Sequence, residues 1–226
     1  MLAGMKRTCA LGLLSASGVL FAPSQADAAL ILELTDGVNT ETITDNGFGD
    51  ISATPGVVVF SGSIGVFDVS VTTGLGFPFQ GGLTQPSLTL DSINVSGGGA
   101  GILTVKLTQT DLLGPSQGDA TLTTSGSTDG SMFVQSFVDS SNAAFGDDDL
   151  TGTLGIYSNE SFEGSTFGTT DVTPTYSASI IAQITHDDAN DLTSFVARYN
   201  VVPEPGSLAL IGVGALLVAH RRRRRG

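Results

Sequence analysis

Sulfur chemistry is almost absent from this chain. Its one cysteine, Cys9, lies in the N-terminal apolar segment. A mature chain that has shed that segment holds no thiol, which excludes disulfides, Cys-based zinc sites and a cysteine nucleophile together. Tryptophan is missing and tyrosine is limited to Tyr157, Tyr176 and Tyr199, so little aromatic surface is available as a stacking platform for sugars. Positive charge is nearly confined to the two ends. Between residues 30 and 200 the only basic residues are Lys106 and Arg198, whereas every acidic residue except Asp27 and Glu204 falls there. A surface of that sign repels phosphate, which excludes nucleic acid as a partner. Between the two ends no helical periodicity and no fixed repeat appears, which argues against a helical domain and a β-helix.

What is present is strand patterning. Phe67, Val69 and Val71 alternate with Asp68, Ser70 and Thr72, and Leu103, Val105 and Leu107 alternate with Thr104, Lys106 and Thr108. Each is a strand with one buried face. Ala178, Ile180, Ala182 and Ile184 repeat the pattern, and Phe195, Ala197 and Tyr199 follow a turn at 187–191. Further strands are expected at 30–35, 57–61, 88–95, 120–124 and 132–138, with a bulge where the apolar phase slips between Leu90 and Ile93. Gly-rich and Asp-rich pieces at 45–50, 74–82, 97–101, 126–130 and 146–149 read as turns. About ten short strands predict an all-β fold, an antiparallel β-sandwich of jelly-roll-like type, over residues 29–200.

The candidate chemistry inside that domain is sparse. His186 is its one histidine and, at a strand end, reads as a polar surface residue. Asp147, Asp148 and Asp149, and separately Asp187, Asp188 and Asp191, cluster carboxylates in loops, the hard ligands that calcium takes. Neither cluster has the spacing of an EF-hand loop, and both also read as solvated loop tips that blunt sheet edges. Thr40, Thr42 and Thr44 form a hydroxyl row on what reads as a solvent-facing strand. Two carboxylates of a glycoside hydrolase are recognised by their separation, which a sequence does not give.

The ends carry addresses. Lys6 and Arg7 precede an apolar segment from Thr8 to Phe21, and Ala26 and Ala28 supply an A-x-A site before Ala29. This is a secretory signal peptide, expected as a helix over residues 1–28, and it implies export through the Sec translocon. At the other end, Val202, Pro203, Glu204 and Pro205 open a spacer at 201–206. An apolar run at 207–220 follows, expected as a short transmembrane helix, and then Arg221, Arg222, Arg223, Arg224 and Arg225 in the terminal segment 221–226. As a helix the run is roughly 21 Å long, short of a bilayer core of about 30 Å. The arginines act as a stop-transfer lock that leaves the tail in the cytoplasm and the acidic domain outside.

The order Val-Pro-Glu-Pro, apolar run, arginine cluster resembles the PEP-CTERM sorting signal of exopolysaccharide-producing Gram-negative bacteria. The resemblance covers residues 202–226. It implies recognition by an exosortase, a membrane-embedded transpeptidase-like enzyme, at Pro203, Glu204 and Pro205. The apolar run would then be a transient anchor and Arg221 to Arg225 a retention signal. The expectation is therefore a non-enzymatic, exported structural protein, tethered to the inner membrane and then placed at the cell surface or in the polysaccharide matrix, without a cofactor. A carbohydrate-binding or calcium-dependent binding module is the alternative.

Overall fold

A computed structural model of the protein describes residues 28–113, 117–173 and 175–203. Ala26, the expected signal helix, Glu204, Pro205, the apolar run 207–220 and Arg221 to Arg225 lie outside the described residues. Ten strands are present: β1 (Leu30–Thr35), β2 (Thr40–Thr44), β3 (Val57–Ile64), β4 (Phe67–Leu75), β5 (Ser87–Gly97), β6 (Gly101–Leu112), β7 (Gln117–Asp139), β8 (Asp149–Asp171), β9 (Tyr176–His186) and β10 (Leu192–Pro203). No helix occurs among the described residues. The fold is all-β, and every ladder is antiparallel.

The strand order is β2-β1-β6-β9-β7-β10-β5-β4-β3, with β8 on the other side of β7. The junction is β7 itself. Its first half pairs with β10, from Gly118 opposite Pro203 to Thr128 opposite Thr193, and its second half pairs with β9, from Ser131 opposite Thr185 to Asp139 opposite Ser177. Between Thr128 and Ser131 the strand doubles back, and β8 follows it along both halves. Two half-sheets result, one ending in β2 and one in β3. They meet face to face: β1 contacts β3 and β4, and β5 contacts β6 and β9, without sharing a ladder.

The core is one cluster drawn from both halves, with Leu30, Leu32, Leu34, Leu103, Leu107, Leu88, Leu90, Phe67, Ile180 and Tyr199 fully buried. Each fully buried leucine or phenylalanine contributes about 2 kcal/mol of transfer free energy. The alternation of the sequence carries into the structure in β1, β6, β9 and β10, and β5 does carry a bulge, two residues beyond the expected slip at Leu90–Ile93. Val95 faces Thr193 but Ser92 faces Phe195, so β5 has one residue more than β10 across the slip.

Three expectations fail. The turn read at 126–130 lies within strand, joining 120–124 and 132–138 into the single β7: 126–128 pair with β10 and β8, and Asp129 and Gly130 form the fold-over. The Gly74 end of the 74–82 turn belongs to β4, where a side chain would run into Leu107 of the opposite half-sheet. Most of all, the 23-residue β8 has no counterpart in the apolar pattern. Its inward positions include Gly152, Gly164, Thr166, Gly168 and Thr170, with Phe162 in the core and Leu154 and Tyr157 against it, so period-two hydrophobicity is broken where period-two geometry is present. The two halves of β8 face each other so closely that a Cβ at Gly168 would collide with the Thr151 carbonyl, and one at Gly164 with the Tyr157 hydroxyl. Packed sheets ordinarily stand about 10 Å apart; here glycine lets the backbones touch and closes that side of the molecule.

Candidate functional site

The ladder registers divide the loops between two ends. At one end lie Ala28 and Ala29, the loops 45–56, 76–86 and 140–148, and the end of β10 at Pro203. At the other lie the loops 36–39, 98–100 and 187–191 and the fold-over of β7 at Asp129 and Gly130. Both chain ends therefore leave the domain at the same place.

The exits are fastened by one segment. The Gln109 side chain, fully buried beside Leu30, accepts from the Phe77 amide at 3.0 Å and donates to its carbonyl at 2.9 Å. Three residues on, Gln80 Nε2 donates to Ser87 Oγ at 2.6 Å, and Ser87 Oγ donates to Asn200 Oδ1 at 2.6 Å. The turn at 77–80 thus bonds to β6 beside the start of β1 and, through Ser87 of β5, to Asn200 of β10. Beside the N-terminal exit a cavity of about 440 Å³ is lined by Ala28, Ala29, Leu30, Pro55, Phe77 and Pro78, among others. Sequence reasoning overlooked Gln109, although it stands at the next inward position after Leu103, Val105 and Leu107.

Of the sorting residues, Val202 and Pro203 are within the described residues, and they correct the expected boundary. The strand does not stop at residue 200. Val201 is buried, Val202 pairs with Asp119 and Pro203 with Gly118. A proline is accommodated there because β5 pairs with β10 only as far as Asn200 opposite Ser87, so beyond it one side of the strand is open and no amide is needed. The last contact on that side is the Val201 amide donating to the Pro86 carbonyl at 3.0 Å. Among the signal peptidase residues, Ala28 and Ala29 precede β1 directly, and the Ala29 carbonyl accepts from the Thr110 amide at 3.1 Å.

The two acidic clusters lie at opposite ends. Asp149 pairs with Val138, which pairs with Ala178 near the start of β9, whereas Asp187 follows His186 at its finish. Eight residues of strand separate them, roughly 27 Å. Asp147, Asp148 and Asp149 are exposed, as are Asp187 and Asp188, while Asp191 Oδ2 accepts from the Asp187 and Asp188 amides at 3.0 and 3.1 Å. Among the described residues no three His, Cys, Asp or Glu side chains converge as metal ligands.

His186 is buried, contrary to the surface position expected for it. It continues the inward parity of Ala178, Ile180, Ala182 and Ile184, a signal present in the sequence. Its Nε2 lies 3.0 Å from Thr193 Oγ1, its ring centroid 5.4 Å from that of Phe67, and its Nδ1 has no hydrogen-bond partner among the described residues. Burial holds its pKa below the ordinary 6.5 against the opposing pull of Asp191, Asp129 and Asp187. Tyr176 is likewise buried with an unpartnered hydroxyl, and burial pushes its pKa up to about 12. Gly114, Ser116 and Gly118 have the G-x-S-x-G spacing of a nucleophile elbow, but 114–116 lie outside the described residues. The stretch joins β6 to β7 rather than a strand to a helix, and it adjoins the end of the domain away from His186.

The outer face of the β10 half-sheet bears a shallow groove of about 410 Å³, lined by Thr123, Ser125, Glu163, Ser165, Val196 and Arg198, among others. Beside it Asp91 has its pKa raised by burial, an effect that Arg198 opposes. The other basic residue of this stretch, Lys106, is held by Glu33 at 2.9 Å. The threonine row of β2 is exposed at the sheet edge, as expected.

The family model described as the PEP-CTERM protein-sorting motif matches residues 201–225. The chain carries a PEP-CTERM sorting signal. The match begins inside β10, so the signal is continuous with the folded domain. Such a motif marks an exported protein and is of the kind that an exosortase recognises. No curated protein matches the chain in sequence. Among solved structures it is similar to the K1 cleaved adhesin domain of Lys-gingipain (Kgp) from Porphyromonas gingivalis W83, at 10% identity and a TM-score of 0.28, covering 77% of this chain and 91% of that one. A superposition that loose carries no inference about this domain.

Proposed function

We propose that the protein is a non-enzymatic structural component delivered by its PEP-CTERM signal to the cell surface or the extracellular polysaccharide matrix. Its folded part would be a β-sandwich of jelly-roll type. The nested pairing of β5 with β10, β6 with β9 and β7 with β8 supports that topology, as do the facing half-sheets. The observation that carries the delivery is the sorting motif at residues 201–225, fused without a spacer to the last strand. In this scheme the tail spans or enters the inner membrane, Arg221 to Arg225 hold it there, and an exosortase acts at Pro203, Glu204 and Pro205. The shallow groove of hydroxyls around Arg198 is the kind of surface a polysaccharide meets, and the acidic remainder keeps the domain dispersed. Replacing Pro203, Glu204 and Pro205 by alanine in the native host is expected to retain the protein in the inner membrane at its unprocessed mass. Unchanged mass and location would overturn the delivery scheme.

A further inference from the structure

The end from which both termini leave is also where exposed aromatic side chains gather. Phe48 is fully exposed, with Ile51 and Phe79 exposed at 65% and 57%. The loops that bear them are fastened to one another, since the Gly76 amide donates to the Gly56 carbonyl at 2.9 Å and the Gly56 amide to Asp45 Oδ2 at 2.7 Å. The carboxylates of this ledge point inward. Asp50 accepts from the amides of Asn46, Ser52 and Val59, which leaves Phe48 outermost.

Chain length then limits where this end sits. From Pro203 to Leu208, where the uncharged run begins, is five residues, at most about 17 Å when fully extended. The headgroup layer on one side of a bilayer is itself roughly 5 to 8 Å deep. With the tail inserted, the exit end is held within about 10 Å of the headgroups. We infer that Phe48, Ile51 and Phe79 form a ledge that docks on the bilayer surface, with zwitterionic lipid as its partner, since exposed Asp147 and Asp148 at the same end repel anionic headgroups. The inference rests on the membrane insertion proposed above for the tail. It turns the 187–191 loop away from the membrane, about 35 Å out along the eleven residues of β9.

The test uses the mature chain from Ala29, which holds no cysteine of its own, in phosphatidylcholine vesicles, with one fluorophore at Ala53→Cys or at Ala189→Cys. Flotation reports insertion, and a lipid-borne headgroup quencher reports docking. The chain is expected to float with the vesicles, the label at 53 to lose most of its emission, and the label at 189 to keep it. Phe48→Ser with Phe79→Ser is expected to restore emission at 53 without loss of flotation. A floating chain whose two labels are quenched alike, or whose quenching ignores the serine pair, overturns the ledge while insertion stands. A chain that does not float overturns insertion and docking together.

Discussion

Closure of the molecule by a doubled β8 makes a graded prediction from three glycines. At Gly168 an added Cβ would collide with the backbone carbonyl of Thr151. A backbone atom has no rotamer by which to move aside, so the two halves of β8 must part. Overpacking typically costs 1 to 3 kcal/mol, and Gly168→Ala belongs at the top, about 3 kcal/mol. For a domain of this size that is roughly 6 to 12 °C in Tm. At Gly152 the nearest atoms are the Thr166 methyl at 2.9 Å and Ser136 Oγ at 3.0 Å. Both are side-chain atoms that can shift, and Gly152→Ala is expected to cost about 1 kcal/mol. At Gly82 nothing lies within 4 Å, so Gly82→Ala removes only freedom from the unfolded chain and is neutral or stabilising by up to about 1 kcal/mol. Urea unfolding of the mature protein followed by far-UV circular dichroism measures all three. If Gly168→Ala unfolds at the same midpoint as Gly82→Ala, the halves of β8 do not touch and the closure described above is wrong.

Burial keeps the His186 pKa below its ordinary 6.5, so as pH falls through that value the unfolded chain takes up the proton first. The stability this site contributes is full above pH 6.5 and is lost below it. The difference in unfolding free energy between wild type and His186→Asn is expected to shrink from about pH 7.5 to about pH 5, with acid-dependent relief of the common negative charge cancelling between them. A difference that stays flat would refute it. Because the acidic clusters lie at opposite ends and Asp191 already caps backbone amides, calcium followed by chelator is expected to leave Tm unchanged. A site filled at 100 times its dissociation constant would add about 2.7 kcal/mol, and a rise of that size would restore the calcium reading.

How much was legible in the sequence depended on whether a strand buries apolar side chains. β1, β6, β9 and β10 do, and their parity could be read, though β6, β9 and β10 run beyond the limits their apolar residues mark. β8 was invisible because much of what it buries is glycine and threonine, and the apolar residues it does bury, Phe162 with Leu154 and Tyr157 against the core, do not recur at period two. β7 was cut in two for a related reason: glycine and serine at 125–131 look like a turn and behave as a fold-over within one ladder. Within the candidate sites the failure was of another kind. His186 and Gln109 each occupy the inward phase of a strand that had been correctly identified. Reading by residue type placed His186 outside and passed over Gln109, whereas reading by phase places both in the core. The tail was legible because its order of proline, apolar run and arginine is a linear signal that does not depend on the fold.

The fold does add one thing to that signal, namely how the address is attached. β10 lies between β5 and β7 and is hydrogen-bonded on both sides as far as Asn200. After the Val201 amide's bond to the Pro86 carbonyl, only the β7 side continues to Pro203. The chain therefore sheds its β5 neighbour before the Glu-Pro of the signal. Tension on the tail acts along a strand held on two flanks, so it loads many ladder bonds in parallel rather than peeling them one at a time from an edge. A cut anywhere beyond Pro203 removes none of the described core, and Val201, the last buried residue among those described, stays with the domain. The anchoring and release proposed above would make the same demand on the structure: a signal that begins where β5 ends and β7 still pairs. Placing the final strand at the centre of the sheet, rather than at either edge, meets both.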